Sequence, residues 1–284
     1  MNWMKHTSIY FFLSALIIIP GVYSLARYGL KLSIEFTGGS RLTLASLKST
    51  PEAVLQSFKD YSPTVEIQDK EGLTLKMKEI SQENAQKIVD TTKPYNPDVQ
   101  ITSFETIGPA LGGETVKKTI NALAISSLIL LAYISFAFKQ LKYGVSAVLA
   151  MFHDTLILIG SFSLLGHFFG IEVDLLFVTA VLTILSFSVH DTIVVYDRIR
   201  ELSHKHKSIE YVSLVNQAVT ETMVRSLNNS LTIIFMLVAL FLIGGETTKY
   251  FALALLIGTI TGTYSSTFTA APLLIVWNNY FPKK

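Results

Sequence analysis

Two adjacent ionisable residues, His190 and Asp191, lie inside Val173–Tyr196, a segment that is otherwise apolar enough to span a lipid bilayer. A carboxylate at that depth costs roughly 2.5–3.5 kcal/mol on membrane-insertion scales, so such residues usually have a function. We therefore interpret Asp191 as a functional residue. The alternative is an interhelical hydrogen bond that only packs the bundle.

The ionisable residues around Asp191 continue along one face of the predicted helix. At 100° per residue, an arc of roughly 140° contains the polar and neighbouring residues of this face. They are Thr183, Ser186, His190, Asp191, Val194, Asp197, Arg198 and Glu201. The opposite side is mostly apolar, with Leu182, Leu185, Val189, Val195 and Tyr196. The polar face must therefore meet protein or water, whereas the apolar back can face lipid.

A second intramembrane carboxylate, Asp154, follows His153 near the middle of the preceding apolar segment. Proton handling and a hydrogen bond to a neighbouring hydroxyl group are both compatible with this position. The sequence alone does not separate the two interpretations.

Arg225 is the basic residue most suited to pair with Asp191. It lies where the next apolar segment begins, on a face spanning roughly 120° of the helix. That face also carries Glu221, Thr222, Asn228, Asn229 and Thr232. The alternative for Arg225 is an interfacial charge whose side chain extends to water.

Six apolar segments are long enough to be membrane helices. They are Ile9–Ala26, Thr119–Phe138, Val145–Phe168, Val173–Tyr196, Ser226–Ile243 and Phe251–Trp277. An even number places both termini on one side of the membrane. The loops on the terminus side are rich in Lys and Arg, whereas the two short loops opposite contain only Lys249, so both termini should be cytoplasmic. We expect a multi-pass protein of the cytoplasmic (inner) membrane.

The first segment resembles a signal peptide in one respect, because Pro20-Gly21 is followed by the small-x-small sequence Ser24-Leu25-Ala26. Its apolar run is slightly long for a signal peptide. We therefore interpret residues 1–28 as an uncleaved transmembrane anchor.

Composition limits the classes of function that the chain can have. The 284 residues are 50% hydrophobic and 15% charged, which indicates a membrane protein with room for one modest soluble domain. A net charge of +2 gives no reason to expect nucleic-acid binding. Cysteine is absent, and the sequence contains neither a phosphate-binding P-loop nor a His-Glu-x-x-His zinc motif. We expect no cofactor, no metal site and no enzymatic activity.

Residues 29–116 carry frequent charges and no long apolar run, so they should form one extracytoplasmic domain. The predicted strands are Lys31–Phe36, Arg41–Leu47, Thr64–Gln68, Leu73–Lys78 and Val99–Phe104. A helix should begin at Pro51 after the cap Thr50, and another should run from Ser81 to about Thr92. From Arg41 onward the order is βαββαβ, typical of an α+β ferredoxin-like fold. Residues 117–284 should form the five-helix transmembrane domain.

Two groups of glycines have a predicted structural role. Ile107–Glu114 is a hinge candidate between the soluble domain and the second membrane helix, although such residues are more often plain linker. Gly258, Gly262, Ser266 and Ala270 recur every four residues in the last segment. This spacing predicts close helix packing, either within the chain or against a partner.

Five motifs together resemble the SecF family of the bacterial Sec protein translocase, relatives of the resistance-nodulation-division (RND) exporters. They are Ile34-Glu35-Phe36-Thr37-Gly38-Gly39, Gly108-Pro109-Ala110-Leu111-Gly112, the run from Asp191 to Glu201, Arg225-Ser226 through Ser230-Leu231-Thr232, and Ala239-Leu240-Phe241 before Gly244-Gly245. The resemblance covers nearly the whole chain. Two residues depart from the family pattern, because His190 replaces an Asn and Glu35 replaces an Asp.

The resemblance implies an all-α six-helix membrane bundle, half of an RND-like transporter, with the ferredoxin-like domain outside. It implies a SecD-like partner subunit and use of the proton-motive force, or of sodium, for late steps of protein export. Asp191 would be the proton-relay carboxylate and Arg225 its basic partner, with His190, Asp154 and Asp197 as further relay candidates. Other implied partners are a SecYEG-type translocon, auxiliary membrane subunits, the translocating unfolded polypeptide and membrane lipid.

Three other functions remain open at this stage. A small-molecule secondary transporter would need a substrate pocket at the membrane midplane, whereas the polar residues favour one half of the membrane. An intramembrane aspartic protease would need a second aspartate motif, Gly-x-Gly-Asp, which is absent. A scaffold whose buried polar groups only pack helices would tolerate Asp191→Asn.

Overall fold

Six helices in the described part of the computed structural model are long and apolar enough to cross a membrane, which confirms the predicted number of spans. The structure describes residues 2–45, 56, 59–68, 72–93, 97–206 and 208–280. The chain divides into two compact units: Met1–Lys31 with Ala122–Lys284, and Leu32–Asn121.

The helices extend beyond the predicted apolar segments. They are α1 (Thr7–Tyr28), α2 (Ile34–Thr37), α3 (Gln82–Thr92), α4 (Pro109–Ala137), α5 (Leu141–Phe169), α6 (Leu175–Lys205), α7 (Tyr211–Ile243), α8 (Glu246–Ser265) and α9 (Ala271–Tyr280). The 31 residues of α6 rise about 46 Å at 1.5 Å per residue. Because the hydrocarbon core of a bilayer is about 30 Å thick, part of α6 must lie outside it.

Glycines of α8 bring this helix directly onto α6. A Cβ atom on Gly258 would lie 2.1 Å from Ile184 Cδ1, and one on Gly262 would lie 3.3 Å from Ser188 Cβ. The small-residue ridge of the last span therefore packs within the chain.

The helices α1 and α5 are also in backbone contact. A Cβ atom on Gly21 would lie 2.9 Å from the Cα atom of Gly160. Nearby, the hydroxyl groups of Ser24 and Ser163 are 2.9 Å apart, and Ser163 donates to the Gly29 carbonyl at 2.7 Å. Small residues thus occupy the place where these two helices cross, because larger side chains would not fit there.

The last span is interrupted by a π-helical turn, Ser266–Ala270, between α8 and α9. Tyr196 of α6 is fully buried and donates a hydrogen bond to the Ala270 carbonyl at 3.1 Å. Turns of this kind are rare and often lie at functional sites.

The smaller unit contains a four-stranded antiparallel sheet. Its strands are β1 (Gly39–Ala45), β2 (Thr64–Gln68), β3 (Gly72–Met77) and β4 (Gln100–Ile107), in the order β2-β3-β1-β4. Leu42 and Leu44 of β1 pair with Leu75 and Leu73 of β3, and these buried leucines form the core with residues of α3. Since β3 lies between β1 and β2, the arrangement is the predicted split-βαβ, ferredoxin-like one.

Two predictions for this unit need comment. The predicted helix from Pro51 lies, apart from Gln56, outside the described residues. The predicted strand Lys31–Phe36 is wrong, because Ile34–Thr37 forms the single helical turn α2. Ser33 caps this turn by accepting a hydrogen bond from the Glu35 amide at 3.3 Å. Alternation over only six residues is a weak signal for a strand. Here Ser33 within the run caps a helical turn, and Gly38 ends that turn.

The two glycine motifs of the smaller unit contact each other. Gly38 has φ +71°, and a Cβ atom there would lie 2.7 Å from the Cα atom of Pro109. A Cβ atom on Gly112 would lie 2.8 Å from the Phe36 carbonyl oxygen. Because β4 ends at Ile107 and α4 begins at Pro109, Gly108 alone connects them. The turn before β1 thus packs directly against the start of α4, and only glycine fits at positions 38 and 112.

Candidate functional site

Asp191 lies buried at the contact between α6 and α7, with 3% of its surface exposed. Ser226 of α7 donates a short hydrogen bond to its Oδ2 atom, and the Ser266 hydroxyl lies 3.4 Å from the same oxygen. Among the described residues no group donates to Oδ1. Asp191 therefore has an oxygen at which a proton could be bound.

The helix α7 carries a buried row of small residues at every fourth position, of which Ser226 contacts this carboxylate. Ala218, Thr222, Ser226 and Ser230 are all buried. Their spacing places them on one face of the helix, and their size lets α7 approach α6 closely. The Thr263 hydroxyl of α8 donates to Ser230 at 2.6 Å, which ties the same face to the last span.

Asp154 of α5 is buried more deeply, with 1% exposure, and is surrounded by hydrogen-bonding groups. His153 Nδ1 lies 2.9 Å from its Oδ1 atom. The hydroxyl groups of Ser188 on α6 and Ser265 on α8 each donate to Oδ2 at 2.6 Å. Three helices thus meet at this carboxylate.

Two adjacent residues of the last span contact the two carboxylates, one each. Ser265, the final residue of α8, contacts Asp154, and Ser266, the first residue of the π-helical turn, lies beside Asp191. Adjacent helical residues point about 100° apart, so one turn can reach both aspartates.

A cavity of about 720 Å³ opens between α6 and α7. It is lined by Ile193, Val194, Asp197, Arg198, Glu201, Glu221, Thr222 and Arg225. Arg198 bridges the helices by pairing with Glu221 at 2.5 Å and also pairs with Glu201. Within the described part of the chain Arg225 makes no ion pair, so its guanidinium group is available to move.

The five predicted relay residues occupy different environments. Asp191 and Asp154 belong to the serine network, whereas His190, Asp197 and Arg225 are exposed. Asp197 pairs with Arg200 at 2.7 Å. Asp191 and Arg225, both among the described residues, form no hydrogen bond or ion pair with each other, and the partner of Asp191 on α7 is the adjacent residue Ser226.

The apolar back of α6 does not face lipid, although its composition would allow it. Leu185, Val189, Val195 and Tyr196 are buried in the bundle. Thr183, Ser186 and His190 of the polar face are exposed. The reason is that α8 packs onto the apolar back through Gly258 and Gly262, which leaves the polar face on the outside of this single chain.

A hydroxyl partner was one of two interpretations for Asp154, but the particular serines that bind the two carboxylates were not predicted. Ser226 and Ser230 follow Thr222 at intervals of four residues, a spacing that predicts a buried row of small residues on α7. Ser188 had no comparable signal, since a single serine in an apolar helix is common.

Comparison with known protein families gives two matches. The family described as protein export membrane protein SecD/SecF, C-terminal, matches residues 87–280. The SecD/SecF GG motif matches residues 23–46, which include the Gly38-Gly39 pair.

Relatives and solved structures resemble nearly the whole chain. Protein translocase subunit SecF of Thermobaculum terrenum is 42% identical, over 95% of this chain and 92% of that protein. The crystal structure of SecDF from Thermus thermophilus, a translocon-associated membrane protein, matches with a TM-score of 0.87 and 29% identity. This match covers 98% of the chain and 39% of the SecDF chain. A SecDF structure in a super-membrane-facing form matches with a TM-score of 0.71 and 29% identity, over 99% of this chain and 39% of the other.

Proposed function

Because this chain belongs to the SecF family of protein translocase subunits, we propose that it drives late steps of protein export with a SecD-like partner. The energy would come from the proton-motive force or a sodium gradient across the cytoplasmic membrane. The further partners would be a SecYEG-type translocon, auxiliary membrane subunits and the unfolded polypeptide in transit. Relatives that are translocase subunits support a transport role rather than an enzymatic one.

One observation carries this proposal: a buried aspartate lies directly behind a polar face that the single chain leaves exposed. Asp191 is buried, but Ser186 and His190 on the same helix are exposed. Polar side chains in a membrane-spanning helix normally face protein or a water-filled path. We infer that the SecD-like partner covers this face and completes an ion path past Asp191.

The chemistry that we propose is an exchange of partners at Asp191. In one state Ser226 holds the carboxylate and its Oδ1 atom takes up a proton. In the other state Arg225 moves from the cavity to the ionised carboxylate. Asp197, in the same cavity, and His190, on the exposed face, would conduct protons to and from Asp191. One charge crossing about 100 mV supplies roughly 2.3 kcal/mol, enough to change a conformational equilibrium substantially.

We place both termini and the α6–α7 cavity on the cytoplasmic side and residues 29–116 outside. The exported domain would move as a rigid body about Phe36–Gly39 and Gly108–Gly113, the glycine motifs that contact each other.

The decisive test is Asp191→Asn in the full chain with its partner. Asn keeps the size of Asp and can still accept from Ser226, but it cannot release a proton. Proton-gradient-dependent export should therefore be lost while expression, insertion and partner copurification persist. Asp174→Asn is the matched control on the same helix, because Asp174 only caps α6 by accepting from the Phe177 amide at 2.8 Å, which Asn also does. Normal export by Asp191→Asn would leave this carboxylate with a packing role only.

A further inference from the structure

His153 and Asp154 form a buried pair in α5 that the proposed exchange at Asp191 does not require. Their exposures are 9% and 1%. His153 Nδ1 contacts Asp154, while Nε2 is buried and has no hydrogen-bond partner among the described residues. A buried polar atom without a partner is uncommon in a folded protein and needs an explanation.

The hydrogen bonds around Asp154 decide where an additional proton would go. Ser188 and Ser265 donate to Oδ2 and His153 Nδ1 can donate to Oδ1, so the three neighbours suit a carboxylate. A neutral acid would need one of them as an acceptor for its own O–H group. With Nδ1 protonated, the lone pair on Nε2 is the open position. A proton bound there makes an imidazolium ion whose charge the adjacent carboxylate balances.

The surroundings contain few other charged groups. The Tyr264 ring of α8 lies nearly parallel to His153, with centroids 6.4 Å apart, and its hydroxyl group donates to the Tyr10 carbonyl of α1 at 2.8 Å. From α6 the titratable neighbour is Asp191, reached through Ser265 and Ser266. In the described residues no lysine or arginine pairs with Asp154.

We infer that the His153–Asp154 pair is a second proton-binding site, whose charge acts on Asp191 through Ser265 and Ser266. While His153 is neutral, the carboxylate attracts the Ser265 hydroxyl strongly. When His153 is protonated, that attraction weakens and the π-helical turn can move, which changes the contact of Ser266 with Asp191. Only the effect of this contact on export rests on the proposed function of Asp191.

The first experiment observes the imidazole directly. The full chain with its copurified partner is placed in lipid vesicles, and ¹⁵N spectra of its histidines are recorded as the pH is lowered. The chain has six histidines, and His153→Gln, whose amide can still donate to Asp154, identifies the signal of His153. We expect an imidazolium signal from His153 that Asp154→Asn abolishes. A His153 ring that stays neutral throughout, or an imidazolium signal unchanged by Asp154→Asn, would overturn the inference.

The second experiment tests the connection to Asp191. The infrared carboxyl band of Asp191, identified with Asp191→Asn, should shift when His153 takes up its proton. Ser265→Ala should abolish that shift, and Ser265→Thr, which keeps the hydroxyl group, should restore it. A shift that persists in folded Ser265→Ala would refute the connection. If the spectra change as expected but export is independent of the gradient, the proposed function fails and the second site stands.

Discussion

At the scale of single residues, the two buried aspartates differ in how fully their oxygens are occupied. Asp154 has hydrogen-bond partners at both oxygens, whereas those of Asp191 reach Oδ2 only. Hydrogen bonds to an ionised group are roughly twice as strong as neutral ones, so full occupancy fixes a carboxylate in place. Partial occupancy leaves room for a proton or for a moving cation such as Arg225.

The role of Arg225 can be tested by separating its charge from its shape. Lys keeps the positive charge but loses the planar fork that binds a carboxylate through two hydrogen bonds. One hydrogen bond to a charged group contributes about 1.5–3 kcal/mol, so Arg225→Lys should lower gradient-dependent export roughly tenfold or more. Arg225→Met, which has no charge, should abolish it.

The comparison uses the initial rate of export into vesicles with an imposed proton gradient. Arg27→Met is the matched control, because Arg27 is an exposed residue at the end of α1 outside the proposed site. Equal and undiminished rates for both Arg225 variants would show that Arg225 is an interfacial charge without a role in coupling.

At the scale of helices and strands, local sequence patterns predicted well which elements form. They predicted less well which side of an element packs inside the bundle. The six spans, the strands β1 to β4 and the cap at Ser81 follow from hydrophobic runs and turn residues, and the structure confirms them. The facing of α6 could not be predicted correctly, because an apolar surface suits both lipid and the bundle interior. The same ambiguity concealed the two serines around Asp154, Ser188 and Ser265, which come from two helices far apart in the sequence.

The crossing of α1 and α5 provides a test of packing by small residues. A Cβ atom on Gly160 would lie 2.7 Å from the Cα atom of Gly21, and backbone cannot yield as a flexible side chain can. Gly160→Ala should therefore separate the helices and lengthen the Ser24–Ser163 hydrogen bond. We expect a loss of about 1–3 kcal/mol in stability, the usual cost of overpacking.

Thermal unfolding in detergent measures this effect. Gly113→Ala is the control, because among the described residues no atom beyond the adjacent residues and backbone of its own helix lies within 4 Å of the added Cβ atom, and Ala favours a helix interior. The control should be as stable as the native chain or slightly more so. If Gly160→Ala unfolds at the same temperature as the native chain, α1 and α5 can move apart more easily than their geometry indicates.

At the scale of the whole molecule, the chain corresponds to part of the larger SecDF protein. It matches 39% of the SecDF chain. Its exposed surface within the spans is of two kinds. The outer face of α1 is apolar, with Phe12, Leu16 and Ile19 exposed. The outer faces of α6 and α7 carry the exposed polar residues Ser186, His190, Asn228 and Asn229. Lipid suits the first surface, but the second requires polar neighbours.

We therefore predict that the partner covers the α6–α7 face and that the chain alone in vesicles shows no gradient-driven activity. Because the native sequence lacks cysteine, Ser186→Cys provides a single attachment point for a photoreactive maleimide. Illumination in membranes should crosslink this position to one protein of the SecD type, identified by mass spectrometry. Leu16→Cys, exposed on the apolar face of α1, should crosslink mainly to lipid. Full activity of the isolated chain, or lipid crosslinks alone at Ser186→Cys, would show that the polar face is complete without a second subunit.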